Sequence, residues 1–157
     1  MRANIRAVAA FCIALLGCAC VGPFSETRES NYSNSTAAKA ADPSGWIPAI
    51  LTDDATSIRE AHDIASNETW GCFRTGQAPA VRLMLGRVNA HKAAGSIANR
   101  PRELFRNYSW WPESMSTGSV EAWAFQEPAV CAACTPSTVR VGIDAGAGTV
   151  CFHRNSS

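Results

Sequence analysis

The sequence has little lysine and no cluster of basic residues. Lys39 and Lys92 are the only lysines, and the arginines are scattered through the 157 residues. Nucleic-acid binding depends on grouped basic side chains that neutralise phosphates. The composition therefore argues against a nucleic-acid partner, and the isolated arginines are expected to be solvated or paired with carboxylates.

Motifs that position a catalytic nucleophile, a zinc ion or a nucleotide phosphate are missing. The chain contains no Gly-x-Ser-x-Gly, no His-Glu-x-x-His and no phosphate-binding loop. Glu60 and His62 are the candidate catalytic pair, because alternate residues of a strand share a face and could place an acid and a base about 7 Å apart. The alternative is that they hydrogen-bond the backbone or the turn at Asn67 and orient a hairpin. We favour this alternative, since no nucleophile accompanies the pair.

No apolar run at the N-terminus is long enough for a membrane span, which needs roughly 20 residues. The run from Ala7 to Leu16 follows two arginines and precedes small residues, as in a secretory signal. Leu15-Leu16-Gly17-Cys18 resembles the bacterial lipobox, which predicts removal of residues 1–17 and lipidation, including palmitate, at Cys18. The mature chain would carry 12 basic and 13 acidic residues. Ordinary cleavage near Ala19 or Gly22 would instead give a periplasmic or secreted protein.

Large apolar residues are also scarce between Ser25 and Gly45, where the sequence reads SETRESNYSNSTAAKAADPSG. Such a segment buries too little apolar surface to offset the entropy of ordering it. We therefore expect residues 18–45 to form a lipidated N-terminus and disordered tether, and residues 46–157 to form a single domain.

Hydrophobic periodicity predicts the elements of this domain. Residues 56–64 and 69–74 read as a hairpin, and Val81, Leu85 and Val88 follow helical spacing. Residues 99–108 suggest a second short helix, and three further strands follow from residue 120 to the C-terminus. The expected fold is α+β, with an antiparallel sheet of about five strands, made of an N-terminal hairpin and a C-terminal meander, and one or two helices on one face.

The cysteines of the domain are even in number: Cys72, Cys131, Cys134 and Cys151. In an exported chain this count favours two disulfides, for which three connectivities are possible. Cys131-Ala132-Ala133-Cys134 could also be a redox motif. Four thiolates could bind zinc, but export to an oxidising compartment argues against it. No metal or cofactor is predicted.

Five tryptophans are present, and two of them, Trp110 and Trp111, are adjacent. Neighbours in an extended segment cannot both point inward, so one is expected at the surface. An exposed aromatic ring of an exported protein can stack on a sugar or contact a partner.

Several motifs resemble those of a family of small bacterial exported or lipid-anchored proteins. The family pattern is Trp-x-Pro, Ala-x-x-Ile-x-Glu-x-His-Asp, Asn-x-x-Trp-x-x-Phe, a later Trp-Trp-Pro and a closing glycine-rich hairpin. The matching residues here are Trp46, Pro48, Ala55, Ile58, Glu60, His62, Asp63, Asn67, Trp70, Phe73, Trp110 to Glu113, and Val141 to Phe152. The resemblance implies a fold and an exported location, and it implies no reaction.

These observations predict a non-catalytic binding or assembly module on the periplasmic face of a bacterial membrane. The expected partners are the membrane, through the lipid anchor, and an envelope protein or glycan. The candidate binding residues are His62, Asn67, Trp110 and Trp111. An envelope hydrolase that uses Glu60 and His62, and a structural subunit of an envelope complex, are the alternatives.

Overall fold

The computed structural model describes residues 27–42, 45–98, 108–128 and 136–156, and within them the chain forms one antiparallel sheet of seven strands. The strands are β1 (Thr27–Asn34), β2 (Thr56–Asp63), β3 (Glu68–Arg74), β4 (His91–Ala93), β5 (Glu121–Glu127), β6 (Ser137–Asp144) and β7 (Thr149–Ser156). Their order across the sheet is β1-β2-β3-β7-β6-β5-β4. The helices are α1 (Ser35–Ala41), α2 (Ala78–Arg87) and α3 (Glu113–Thr117).

One face of the sheet carries the larger apolar core. Alternate residues of the central strands are buried there, including Val141 on β6 and Phe152 on β7. Ala38 of α1 and Leu85 of α2 pack on them. A side chain at Gly71, the residue paired with Phe152, would collide with the phenyl ring, so the missing Cβ lets the ring lie flat on β3.

The opposite face carries a second core. Trp111 and Met115 cover the disulfide between Cys72 and Cys151, which joins paired positions of β3 and β7. Met115 approaches the sheet at Gly142, where a Cβ would lie 2.5 Å from the methionine sulfur. The sheet is therefore covered on both faces, by α1 and α2 on one and by α3 on the other.

The predicted α+β fold with five strands and helices on one face is wrong. The described part of the chain is mainly β, with seven strands and few helices, and the helices lie on both faces. The two missed strands are the edges, β1 and β4. Edge strands bury little side-chain surface, so they lack the apolar periodicity that identifies a central strand.

The predicted tether is folded over most of its length. Residues 27–34 pair with β2 as strand β1, and α1 follows directly. Asn34 caps this helix by accepting a hydrogen bond from the backbone N–H of Ala37 at 2.9 Å. Alanine is the best helix former, so the run STAAKAA favours a helix, which this cap and the packing of Ala38 stabilise further.

The hairpin of β2 and β3, the helix α2 and the hairpin of β6 and β7 confirm the corresponding predictions. The predicted helix at residues 99–108 falls largely outside the described residues, as do Cys18, Cys131 and Cys134. Nowhere in the described ranges is there a helix with the length and apolar character needed to cross a bilayer.

Candidate functional site

Glu60 and His62 lie next to each other on the face of β2 that α1 covers. Nδ1 of His62 and Oε1 of Glu60 are 2.5 Å apart. The Glu60 side chain is only 3% exposed, and that of His62 is 12% exposed. The two side chains form one hydrogen-bonded unit at the end of the sheet.

Trp46 completes this unit. Its indole stacks on the imidazole of His62, with 4.6 Å between ring centroids and 5° between ring planes. Asp42, at the end of α1, holds the tryptophan in place, because its carboxylate accepts the backbone N–H groups of Trp46 at 2.9 Å and Ile47 at 2.7 Å. Stacking and the carboxylate together fix the orientation of the histidine ring.

An open groove of about 770 Å³ adjoins the unit along strand β1. We call it the Trp46 groove, and its walls include Arg28, Ser30, Asp42, Trp46, Glu60 and His62. The register of the sheet explains this set, since Ser30 is paired with Glu60 and Arg28 with His62. No described residue is hydrogen-bonded to Nε2 of His62.

Burial dominates the titration of Glu60. Loss of solvent raises the pKa of this carboxyl group, and the nearby Asp42 carboxylate acts in the same direction. The hydrogen bonds from His62 and Ser30 oppose the rise by stabilising the carboxylate. The Glu60 carboxylate is therefore buried where its charged form is disfavoured, and its hydrogen-bond partners offset part of that cost.

The direct contact between Glu60 and His62 limits what they can do. A glycosidase acid and base sit on opposite sides of the scissile bond, with carboxyl groups roughly 5 to 9.5 Å apart. These two side chains instead share one hydrogen bond, so the carboxylate orients the imidazole through Nδ1, and Nε2 has no hydrogen-bond partner among the described residues. The unit can accept or donate a hydrogen bond, or take one proton, at that atom.

The other predicted binding residues lie elsewhere. Asn67 is exposed in the turn between β2 and β3, where it adopts a left-handed conformation with φ of 55°. Trp111 is fully buried in the second core, which removes it as a ligand contact. Trp110 is half-buried, and its indole N–H donates to Glu29 at 2.9 Å on the face opposite the Trp46 groove. One tryptophan of the pair is thus at the surface, as expected.

Asp42 and Ser30 are site residues that sequence reasoning missed. Both fall in the segment read as a tether. The available signal for Ser30 was the alternation of Arg28, Ser30 and Tyr32, which matches that of Ile58, Glu60 and His62 once the strands are paired. In the part of the chain that the structure describes, no group of three His, Cys, Asp or Glu side chains is suited to a metal ion.

Replacing His62 with alanine is expected to lower the free energy of unfolding by about 2 kcal/mol near neutral pH, because the buried Glu60 carboxylate loses its partner. Protonation of Glu60 relieves part of this cost. The loss is therefore expected to be larger at about pH 8 than at about pH 5. Urea unfolding at both pH values measures it.

His91→Ala is the matched control, since His91 is exposed on β4. A loss for His62→Ala no larger than that of the control would contradict the orienting role.

Comparison with known proteins identifies part of the chain. Residues 26–74 match the family model described as YbbD head domain. This range extends from β1 to β3 and contains every residue used above to define the Trp46 groove, but it covers less than half of the chain. The match supports the coarse part of the resemblance, to a small bacterial family. No curated protein and no solved structure matches the chain significantly.

Proposed function

We propose that this chain is a bacterial envelope lipoprotein whose domain binds a glycan in the Trp46 groove without catalysis. The observation that carries the proposal is the fixed stack of Trp46 on His62 at the wall of a polar groove. Binding sites combine an apolar or aromatic surface with a few converging polar groups. The aromatic pair and the polar groups of β1 and β2 provide both.

The polar groups of the groove favour a neutral, hydroxyl-rich ligand. Arg28 contributes a positive charge, and Glu29, Asp42 and Glu60 contribute carboxyl groups, so the lining carries charges of both signs. Ser30 and His62 add a hydroxyl and a ring nitrogen that hydrogen-bond in either direction. A sugar presents hydroxyl groups around an apolar ring face, which suits this mixture better than a strongly charged ligand does.

The lipid anchor at Cys18 would keep the groove near the membrane. Thr27, where β1 begins, comes only nine positions after Cys18. A chain of that length reaches roughly 30 Å when fully extended. The groove is therefore proposed to face ligands close to the membrane surface, with a shorter tether than residues 18–45 would give.

A hydrolase is the second candidate, and the orientation of His62 favours it. A carboxylate at Nδ1, with Nε2 bonded to none of the described residues, is the arrangement in which histidine acts as a general base on water or a hydroxyl group. Ser30 is not placed as a nucleophile, because the sheet register pairs it with Glu60 rather than with His62.

Titration calorimetry with the N-acetylglucosamine tetramer and with a soluble muramidase digest of peptidoglycan tests the binding function. The protein is the full chain with Cys18→Ser, which cannot be acylated. Trp46→Ala and His62→Ala are each expected to weaken binding roughly tenfold or more, and Trp110→Phe, on the other face, is expected to leave it unchanged.

Two outcomes would overturn the glycan proposal. One is that neither probe binds, and the other is that Trp46→Ala binds a probe as tightly as the protein that keeps Trp46. Chromatography of the probes after incubation separates the two candidates. Unchanged saccharides support a binding module, whereas shorter products that disappear with His62→Ala support the hydrolase.

The anchor is tested separately in cells. Globomycin, which blocks lipoprotein signal processing, is expected to cause an unprocessed precursor to accumulate. Cys18→Ser is expected to release the protein from the membrane fraction. Normal processing in the presence of globomycin would contradict lipidation at Cys18 and leave the groove proposal standing.

A further inference from the structure

A second pocket lies on the opposite face of the sheet from the Trp46 groove. It has a volume of about 420 Å³ and is formed where β2 and β3 meet the segment that leads into α3. We call it the Trp110 pocket, and the residues of interest in its lining are Ser57, Arg59, Arg74, Ser109, Trp110 and Thr149.

The described lining of the pocket carries two positive charges, and the carboxylate of Glu29 borders it, hydrogen-bonded to the indole N–H of Trp110. No carboxylate is among its described lining residues, and neither Arg59 nor Arg74 takes part in an ion pair with any described residue. By contrast, Arg82 and Arg154 have carboxylate partners, Glu121 at 2.7 Å and Glu127 at 3.2 Å. The two pocket arginines thus keep their guanidinium groups available.

Sheet register brings these two arginines together. Arg59 is paired with Cys72, and Arg74 follows Cys72 by two residues on the same strand. They therefore lie on one face of neighbouring strands, and both line the pocket. The register shifts between Thr56 and Arg59, and Ser57 has a positive φ of 50°. Such bulges redirect side chains beside functional sites.

A disulfide, a hydrogen bond and a ring contact fix the other walls of the pocket. The Cys72–Cys151 disulfide lies beneath the arginines. The Trp110 indole is fixed by its hydrogen bond to Glu29 and by edge contact with buried Trp111, at 6.2 Å between centroids. Ser57, Ser109 and Thr149 add hydroxyl donors around the same space.

We propose that the Trp110 pocket binds a phosphate ester, with the phosphate held by Arg59 and Arg74 and the rest of the ligand against Trp110. Guanidinium groups bind phosphate through paired N–H donors. Two guanidinium groups and three hydroxyl groups suit the three free oxygens of a phosphate monoester better than the two oxygens of a carboxylate. This site lies on the other face of the sheet, and the proposal does not rest on the function proposed for the Trp46 groove.

Titration calorimetry of the full chain with Cys18→Ser tests the proposal, using inorganic phosphate, phenyl phosphate and benzoate as probes. Phenyl phosphate is expected to bind most tightly, because it can use both the arginines and the ring of Trp110. Arg59→Gln with Arg74→Gln is expected to weaken its binding roughly tenfold or more. Trp110→Phe is expected to weaken the binding of phenyl phosphate but not that of inorganic phosphate.

Arg87→Gln is the matched control, because Arg87 is an exposed arginine on α2 with no ion-pair partner in the described residues. It is expected to bind phenyl phosphate like the unsubstituted protein. The Arg59→Lys and Arg74→Lys double variant keeps the charge but not the paired donors, and it is expected to bind more weakly. Equal losses in the control, unchanged binding in the glutamine variant, or benzoate binding as tight as that of phenyl phosphate would overturn the proposal.

Vesicles of phosphatidylcholine, with and without phosphatidylglycerol, distinguish the sources of such a phosphate group. Sedimentation with the anionic vesicles that is lost in the glutamine double variant would support a lipid headgroup as the ligand. Binding of phenyl phosphate without sedimentation would support a soluble ester.

Discussion

Replacing Cys72 and Cys151 together with alanine is expected to lower the free energy of unfolding by about 4 kcal/mol. The disulfide joins residues 79 positions apart. A crosslink of that length removes much of the conformational entropy of the unfolded chain, which stabilises the fold by about 4.5 kcal/mol in the chain-entropy model. Guanidinium unfolding of the oxidised protein and of the double variant measures the difference.

Cys131→Ser with Cys134→Ser is the matched control for this experiment. These cysteines are separated by two residues, so a bond between them would close only a very short loop. The chain-entropy model then gives a loss of less than half that of the first variant. Equal losses in the two variants would contradict the dominant role of the Cys72–Cys151 bond.

Acidification from pH 6.5 to pH 4 is expected to cost the protein about 3 kcal/mol of stability through His153. Burial, with a contribution from the Arg140 guanidinium, lowers the pKa of this histidine from 6.5 to about 4. The carboxylate of Glu68 is 3.8 Å from Nε2 of His153, and its charge opposes these effects without outweighing them. Between pH 6.5 and pH 4, His153 is therefore protonated in the unfolded chain but largely neutral in the folded protein. The stabilising contribution that is present above pH 6.5 is lost as the pH falls.

Buried carboxyl groups with raised pKa values, such as those of Glu60 and Glu127, act in the opposite direction over part of this range. The difference between the protein and its His153→Gln variant isolates the histidine. We expect the free energy of unfolding of the unsubstituted protein, relative to that of His153→Gln, to fall as the pH is lowered toward 4, because only the unsubstituted protein loses the contribution of His153. His91→Gln removes an exposed histidine and is expected to keep the unsubstituted profile. Parallel pH profiles for the protein and His153→Gln would refute the prediction.

The centre of the sheet could be predicted from the sequence because its strands alternate strongly. Val139, Val141 and Ile143 face one core together, as their spacing indicates. Strand β1 could not be found in this way, since Tyr32 is its only large apolar residue and the strand depends on backbone pairing with β2. Composition alone made the segment resemble a tether.

The candidate sites were only partly predictable for a related reason. The shared face of Glu60 and His62 follows from strand periodicity, which is a local property. Ser30 and Asp42, which complete the site around this pair, come from a strand and from the end of a helix that were not predicted. The two pocket arginines were treated as ordinary surface residues, since only the sheet register places Arg59 and Arg74 side by side.

The strand order also has a consequence for how the chain folds during synthesis. Strand β7 lies between β3 and β6 and joins the two halves of the sheet. Cys72 of β3 leaves the ribosome 79 residues before its partner in β7. Until then, β3 has an open edge with Phe73 beside it, an arrangement prone to wrong pairing. The edge of β3 therefore stays open to pairing with other chains until β7 has been made.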